Sequence, residues 1–531
     1  MVNKLPSKTE GTVSMRRKTD PVHSSLVAGL LAIVILTPGM SVGKEPESTA
    51  QSTNIPALKA SNSTPGPRPT TYEGSGPQPK VGLSEKTVTG ETWGDHSYVI
   101  PFFEVIAFEA TLNLYDRTYL DKGIYGTTYK TFEHNLKTAP VVDSDSFQIN
   151  QLYHPYQGAM YFGFGRSAGL SYWQSLLYSI GGSELWETAG ETDPPSFNDH
   201  VASGIGGSFL GEPLFRMASL VLEAGGRKPG FLRELVAAGI SPPTGVNRLL
   251  FGERFDKVFP SHNPPTFTRL RFGLSMTARE SDNGPSETHD RQQATVDFLM
   301  AYGLPGKPGY TYDRPFDYFN FEFAAGTGKD SFENIMSRGL LYGTAYDVGD
   351  AYRGIWGLYG SYDYISPQIF RVSSTALSFG TTAQWWMMKH VALQYSALGG
   401  LGYAAAGTIS GKKPDIPEGG PGERDYRYGT TPQGLLALRL IMGARAMVDM
   451  NERVYYISDV YGTNPDGHEL IERGNVGLTA RVYGQHALGL QFTSTTRDAH
   501  QVGADDRHQT EEVASIVYTL LGDDNFGAVN W

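Results

Sequence analysis

Between Leu270 and Ala278 every second residue is apolar: Leu270, Phe272, Leu274, Met276 and Ala278 alternate with a phase holding Arg269, Arg271, Ser275, Thr277 and Arg279. A second run repeats the pattern, with Leu436, Leu438, Leu440, Met442, Ala444, Ala446 and Val448 set against Arg439, Gly443, Arg445 and Asp449. A side-chain period of two marks strands whose faces meet different surroundings. Similar segments at 295–302, 318–323, 340–346, 355–362, 370–379, 391–403, 453–460, 476–483, 488–495 and 513–521 bring the number to about twelve, an even number in the range of outer-membrane barrels.

The polar phase, with Arg269, Arg271, Glu322, Arg439, Arg445 and Arg481, is expected to face the lumen, and the apolar phase lipid. A periplasmic all-β domain would turn the same apolar phase inward. Aromatic residues near segment ends, including Trp385-Trp386, suit an interfacial girdle. The chain ends on Trp531, an aromatic terminus of the kind common in such barrels, with Asp523-Asp524-Asn525 between it and the last strand.

Ahead of the strands the period is helical. From Tyr172 to Glu191, Ser175, Ser179, Ser183, Glu187 and Glu191 recur every fourth residue, so a helix gathers them into one small-then-acidic stripe. Pro194-Pro195 ends it. Ser196-Phe197-Asn198-Asp199 then predicts a capping box, Ser196 capping and Asp199 reaching back. Ser203, Gly207 and Gly211 give the next helix a small-residue face for close helix approach, and Glu212 and Arg216 stand at ion-pair spacing.

Composition narrows the classes. Lys+Arg 44 against Asp+Glu 55 leaves a net charge of -11 and no basic footprint for nucleic acid. With no cysteine, disulfides, thiolate metal sites and a cysteine nucleophile are all excluded. Arg16-Arg17-Lys18 before the apolar run 26–36 predicts an export signal over 1–43. A Ser/Thr/Pro/Gly-rich linker comes next over 44–92, and structure is expected to begin near Trp93.

The candidate chemistry lies on the helical unit. His154, Glu187, Glu191 and Asp199 are candidate acid/base or metal-ligating residues; Arg166, Glu184, Asn198, Glu212 and Arg216 are candidate binding or ion-pair partners. Structural roles compete: Asp199 is explained by capping, and the glutamates by pairing with the arginines. No cofactor or metal identity can be read from these residue types. Gly165-Arg166-Ser167-Ala168-Gly169 fits a nucleophile-elbow pattern, but the run before it is helical where an elbow needs a strand. Gly326-Thr327-Gly328-Lys329-Asp330 reads as a turn.

The series Phe147-Gln148-Ile149-Asn150, His154-Pro155-Tyr156-Gln157-Gly158, Gly182-Ser183-Glu184-Leu185-Trp186-Glu187, Pro195-Ser196-Phe197-Asn198-Asp199 and Gly211-Glu212, and later Asp425-Tyr426-Arg427-Tyr428-Gly429, resembles domain of unknown function 3943 of Gram-negative bacteria. The resemblance implies an envelope protein and brings no established activity or catalytic residues.

The expected architecture is a C-terminal antiparallel transmembrane-type β-barrel of about twelve strands over 266–531. A unit of three to four helices over 93–224 packs in or under it, and a bridge spans 225–265. The expected location is the outer membrane, with periplasm as the alternative. Expected partners are outer-membrane lipid and, during biogenesis, the barrel assembly machinery. The expected function is that of a barrel with a helical plug or cap, in envelope structure or small-ligand passage. The alternative is an envelope enzyme acting on a lipid or glycan through the His/Glu/Asp cluster.

Overall fold

The structure, a computed structural model, describes residues 96–142, 145–226, 228–281, 291–327, 332–367, 369–408, 426–459, 467–501 and 506–531. The expected signal, the linker, Trp93 and most of the polar stretches 281–290 and 411–426 lie outside these residues.

Twelve strands run β1 Thr266–Ser281, β2 Arg291–Tyr302, β3 Phe319–Gly326, β4 Phe332–Val348, β5 Tyr352–Ile365, β6 Phe370–Met388, β7 Val391–Thr408, β8 Tyr426–Met442, β9 Ala446–Asp459, β10 Gly467–Tyr483, β11 His486–Gln501 and β12 Arg507–Leu521. Each pairs antiparallel with its sequence neighbours, and β1 closes on β12. Each predicted segment falls on a different strand, except that 436–448 runs through the β8–β9 turn at Gly443 (φ 56°) into β9. Alternation happens to continue across that turn, so Arg445 belongs to the turn and not to the lumen.

Contacts across the barrel settle which phase is inside. Arg269 on β1 reaches Asp449 on β9 at 2.8 Å, and Arg453 on β9 reaches Asp363 on β5 at 3.0 Å. Strands so far apart in the ring meet only through the interior. Arg497 and Glu469, both fully buried, pair at 2.8 Å. The opposite phase is bare, with Leu274 72%, Leu490 60% and Ile516 68% exposed. Charge inside and apolar surface outside is the arrangement of a barrel in lipid.

The lumen is closed at the end that carries the short turns, and the chain's own C-terminus closes it. After β12, residues 522–531 fold back so that Gln384 Nε2 donates to the Val529 carbonyl at 2.6 Å and Gln394 Nε2 to the Gly527 carbonyl at 2.6 Å. Phe526 and Val529 join lumen-facing Phe267, Leu299, Ile355 and Tyr359 in one apolar floor. Trp531 covers it, its indole donating to the Asp350 carbonyl at 2.8 Å and its ring stacked under Arg353. Trp386 faces inward and donates to Val529, so of this pair Trp385, 42% exposed, is the one that suits the expected girdle.

Among the described residues, seven helices precede the barrel: α1 Val99–Tyr119, α2 Tyr129–Asn135, α3 His154–Ser167, α4 Tyr172–Leu185, α5 Gly207–Glu223, α6 Phe231–Ile240 and α7 Pro242–Phe251, with a single turn at Phe197–Asp199. The last two occupy the stretch expected to be a bridge. The expected small-residue packing is present: a Cβ on Gly158 would lie 1.9 Å from the Ser203 carbonyl, and one on Gly207 2.7 Å from Gly158 Cα. Ser179 Oγ bridges the same contact, donating to the Gly158 and Ser203 carbonyls.

The helical unit lies against the outer wall of the barrel, which corrects the position expected for it in or under the lumen. Ser337 Oγ donates to the Phe209 carbonyl at 2.5 Å, and Tyr362 to the Gln151 carbonyl. Both strand residues alternate with lumen residues, Arg338 and Asp363, and therefore point outward. The Phe209 ring lies where a Cβ on Gly360 would be, 2.4 Å away. Outward Phe298, Phe319, Phe321, Phe323, Tyr364 and Tyr428 thus share one core with the helices. The lumen has no room for a helical plug because its own arginines, acids and C-terminal tail fill it.

Candidate functional site

Three π-helical segments interrupt the helical unit, at Ile149–Tyr153, Trp186–Gly190 and His200–Gly206. The first and third border His154 and Asp199, and the second contains Glu187 and ends against Glu191. A π-turn inserts one residue and rotates the next stretch of helix, so it can aim side chains at a common point. Together these segments direct His154, Glu187, Glu191 and Asp199 into one buried polar cluster.

His154 stands at its centre, 4% exposed. Its Nδ1 lies 3.2 Å from Gln157 Oε1 and its Nε2 3.9 Å from Asp199 Oδ2. Ligand atoms of Asp145, His154 and Glu191 all lie within 4.8 Å of one another. Trp186 Nε1 donates to Glu191 Oε1 at 2.6 Å, and Asn198 Nδ2 to Asp199 Oδ1 at 2.8 Å.

The capping box forms by half. Ser196 Oγ accepts from the Asp199 amide at 3.2 Å, but Glu187, not Asp199, accepts from the Ser196 amide, at 2.7 Å. The Asp199 carboxylate is thereby turned toward His154. Burial, and then the Asp199 charge, push Glu187 well above the usual carboxylate range. Burial likewise pushes Glu109 of α1 up to about 8, against the lowering effects of Tyr161 and His154.

The barrel completes the pocket. Alternation on β8 sends Arg427 into the lumen toward Glu469, 3.9 Å away, and turns Tyr426 and Tyr428 out onto the helices. Tyr426 donates to the Asp145 carbonyl at 2.8 Å and accepts from Asn150 at 2.7 Å. Tyr428 accepts from Asn198 at 2.9 Å and Gln151 at 3.0 Å. The two stretches that carry the sequence resemblance therefore meet at one place.

The other predicted residues lie elsewhere. Arg166 and Arg216 grip the two oxygens of Glu212, both at 2.7 Å, and Arg216 continues to Asp317 at 2.9 Å. Phe259 lies under the Arg166, Arg216 and Arg314 guanidinium groups. This is a buried ionic staple between α5 and the β2–β3 connection. Glu184 is at the surface beside His200, at 3.3 Å. Ser167 donates back to the Gly163 carbonyl at 2.7 Å inside α3, where no elbow exists.

Sequence reading missed Asp145, Glu109, Gln157 and the two tyrosines as parts of the site. The Tyr-Arg-Tyr alternation on a strand was the available signal for the tyrosines.

No curated protein matches the chain. Among solved structures it is similar to the TodX monoaromatic hydrocarbon channel deltaS2 mutant, at 10% identity and TM-score 0.20 over 54% of this chain and 94% of that one. It is also similar to the NanC porin, at 7% identity and TM-score 0.23 over 46% and 98%. The outer membrane channel DcaP of Acinetobacter baumannii aligns at 9% identity and TM-score 0.19 over 48% and 96%. Residues 139–243, which hold Asp145, His154, Glu187, Glu191 and Asp199 and lie against the outer wall of the barrel, match the model of the family described as Domain of unknown function (DUF3943).

Proposed function

We propose that this is an outer-membrane protein in which the barrel serves as a closed scaffold, while the helical unit beside it carries the working site at the lipid boundary. The observation that carries the reading is the direction of the helices' polar faces. In α1, Glu104, Glu109 and Asp116 turn toward the unit while Val99, Phe102, Phe103 and Leu114 are exposed. In α4, Ser175, Ser179 and Ser183 turn in, while Leu177 is 67% exposed and Ile180 43%. In α6 and α7, Phe231, Leu232, Leu235, Leu249 and Leu250 are exposed. This is the reverse of a water-soluble amphipathic bundle. It continues the apolar outside and polar inside of the barrel, and its small-residue contacts are those that bring helices together in lipid.

No helix among the described residues is long and apolar enough to cross a membrane, so the unit lies along the barrel wall while the strands do the crossing. In this setting the polar cluster of His154, Glu187, Glu191 and Asp199 would act on a membrane-derived lipid or glycan.

The cysteine-free chain permits a direct test by spin labels at single introduced cysteines, Leu177→Cys and Leu249→Cys, with Leu490→Cys on the barrel and Lys137→Cys as references. Collision with oxygen at the two helical sites matching Leu490→Cys supports the reading. Collision with a water-soluble nickel chelate matching Lys137→Cys overturns it.

Small-ligand passage is the second reading. A cavity of about 110 Å³ within the lumen, bordered by Arg269, Asp297, Glu322, Arg338, Arg453 and Arg473, favours it. Passage would require the C-terminal tail to leave the lumen floor.

A further inference from the structure

Three ligand side chains converge from separate elements: the Asp145 carboxylate from the strap before the first π segment, the His154 imidazole from the start of α3, and the Glu191 carboxylate from just after the second π segment. We propose that Asp145, His154 and Glu191 bind a divalent transition-metal ion, of the Zn²⁺ or Mn²⁺ kind, with Asp199 beside it. One imidazole and two carboxylates suit these borderline ions. The inference deepens the reading that the helical unit carries the working site.

Two further observations point to a cation. The first is the orientation of His154. Gln157 Nε2 donates to the Tyr161 hydroxyl, so Gln157 Oε1 faces His154 Nδ1 as an acceptor. The other ring nitrogen, Nε2, lies on the side of Asp199. An outer partner on the distal ring nitrogen is the usual companion of a metal-bound histidine. Trp186 orients Glu191 in the same manner, and Tyr426 fixes the backbone of Asp145.

The second observation is Glu109. It is only 7% exposed, neither carboxylate oxygen makes a hydrogen bond of good geometry although Tyr161 lies near it, and its charge interacts with those of His154 and Glu191. Burying such a group is costly without a compensating cation or proton. Asp145 keeps partial exposure, which leaves the cluster a side open to an entering ion.

The test uses the full chain folded in detergent, with folding verified by the heat-dependent gel shift of the barrel. Metal is stripped with a chelator, and Co²⁺ is then titrated while its visible d–d absorption is read, before displacement with Zn²⁺. The expected result is one equivalent bound. Affinity should fall by roughly 100-fold or more in Asp145→Asn, His154→Ala and Glu191→Gln, and be unchanged in Glu184→Gln. Trp186→Phe, which removes only an orienting hydrogen bond, should weaken binding by roughly 10- to 100-fold. This milder variant keeps the test decisive if a ligand variant fails to fold. Folded wild-type protein that binds no Co²⁺, or binds it equally well in the ligand variants, overturns the proposal. Metal binding is read independently of the spin-label result, so failure of the site and failure of the lipid placement are distinguishable.

Discussion

Tyr428, on the eighth strand of the barrel, accepts a hydrogen bond from Asn198 of the helical unit at 2.9 Å, across 230 residues of sequence. Asn198 in turn holds Asp199 at 2.8 Å. The barrel wall therefore acts as one side of the pocket as well as its support.

Removing the Tyr428 hydroxyl leaves the Asn198 and Gln151 side-chain amides without their shared acceptor. Unsatisfied buried donors cost about 1–3 kcal/mol. Tyr428→Phe should speed hydrogen exchange in the segments around Gln151 and Asn198 while the barrel strands keep their protection. Equal loosening of the strands would contradict the assignment.

The ionic staple should be the costliest point contact between helices and barrel. Glu212→Gln leaves Arg166 buried without its carboxylate and Arg216 with Asp317 alone, a loss of about 3–5 kcal/mol for a broken buried pair. Limited proteolysis should release α5 in this variant and leave Glu184→Gln resistant, because the exposed Glu184–His200 pair contributes at most about 1 kcal/mol.

The C-terminal tail should control the lumen. Wild-type protein in a planar bilayer is expected to show no steady conductance. Val529→Asp, which sets a charge in the apolar floor beneath Phe526, should produce openings. Steady wild-type conductance would favour the passage reading.

Glu109 gives the metal-stripped protein a pH dependence of definite sign. Its folded pKa of about 8 lies above the carboxylate's ordinary 4.5, so the unfolded state loses this proton first. The proton's contribution to stability is full below about 4.5 and is lost as pH rises through 8. Glu109→Gln should therefore melt at a higher temperature than wild type at pH 8.5 and nearly with it at pH 4.5. A difference that grows toward acid would refute the assignment.

Much of this fold was legible because a strand with lipid on one side and charge on the other writes both faces into alternate residues. Leu274 against Arg271 and Ile516 against Glu511 identify their strands without long-range information. The 436–448 run misled because Gly443, Ala444 and Arg445 kept the alternation through a turn. The place of the helices was not legible for a related reason. An inverted bundle needs small and polar residues inside, so the Ser175–Ser179–Ser183 stripe reads like the face of a plug when it is a helix-packing seam.

The candidate site was half legible. His154, Glu187, Glu191 and Asp199 share a pocket, whereas Arg166, Glu212 and Arg216 form the staple and Glu184 is at the surface. The capping box hid the role of Asp199, since local spacing gave no sign that Glu187 would take the Ser196 amide. Glu109 and Tyr428 enter only through tertiary contacts.

The proposed placement, a closed barrel in the outer membrane with its charged phase inward, is tested by gel migration of detergent-extracted outer-membrane protein before and after boiling. The protein should partition with the outer membrane and the unboiled form should migrate faster, the signature of an intact transmembrane barrel. A soluble periplasmic protein whose migration is indifferent to boiling would contradict it.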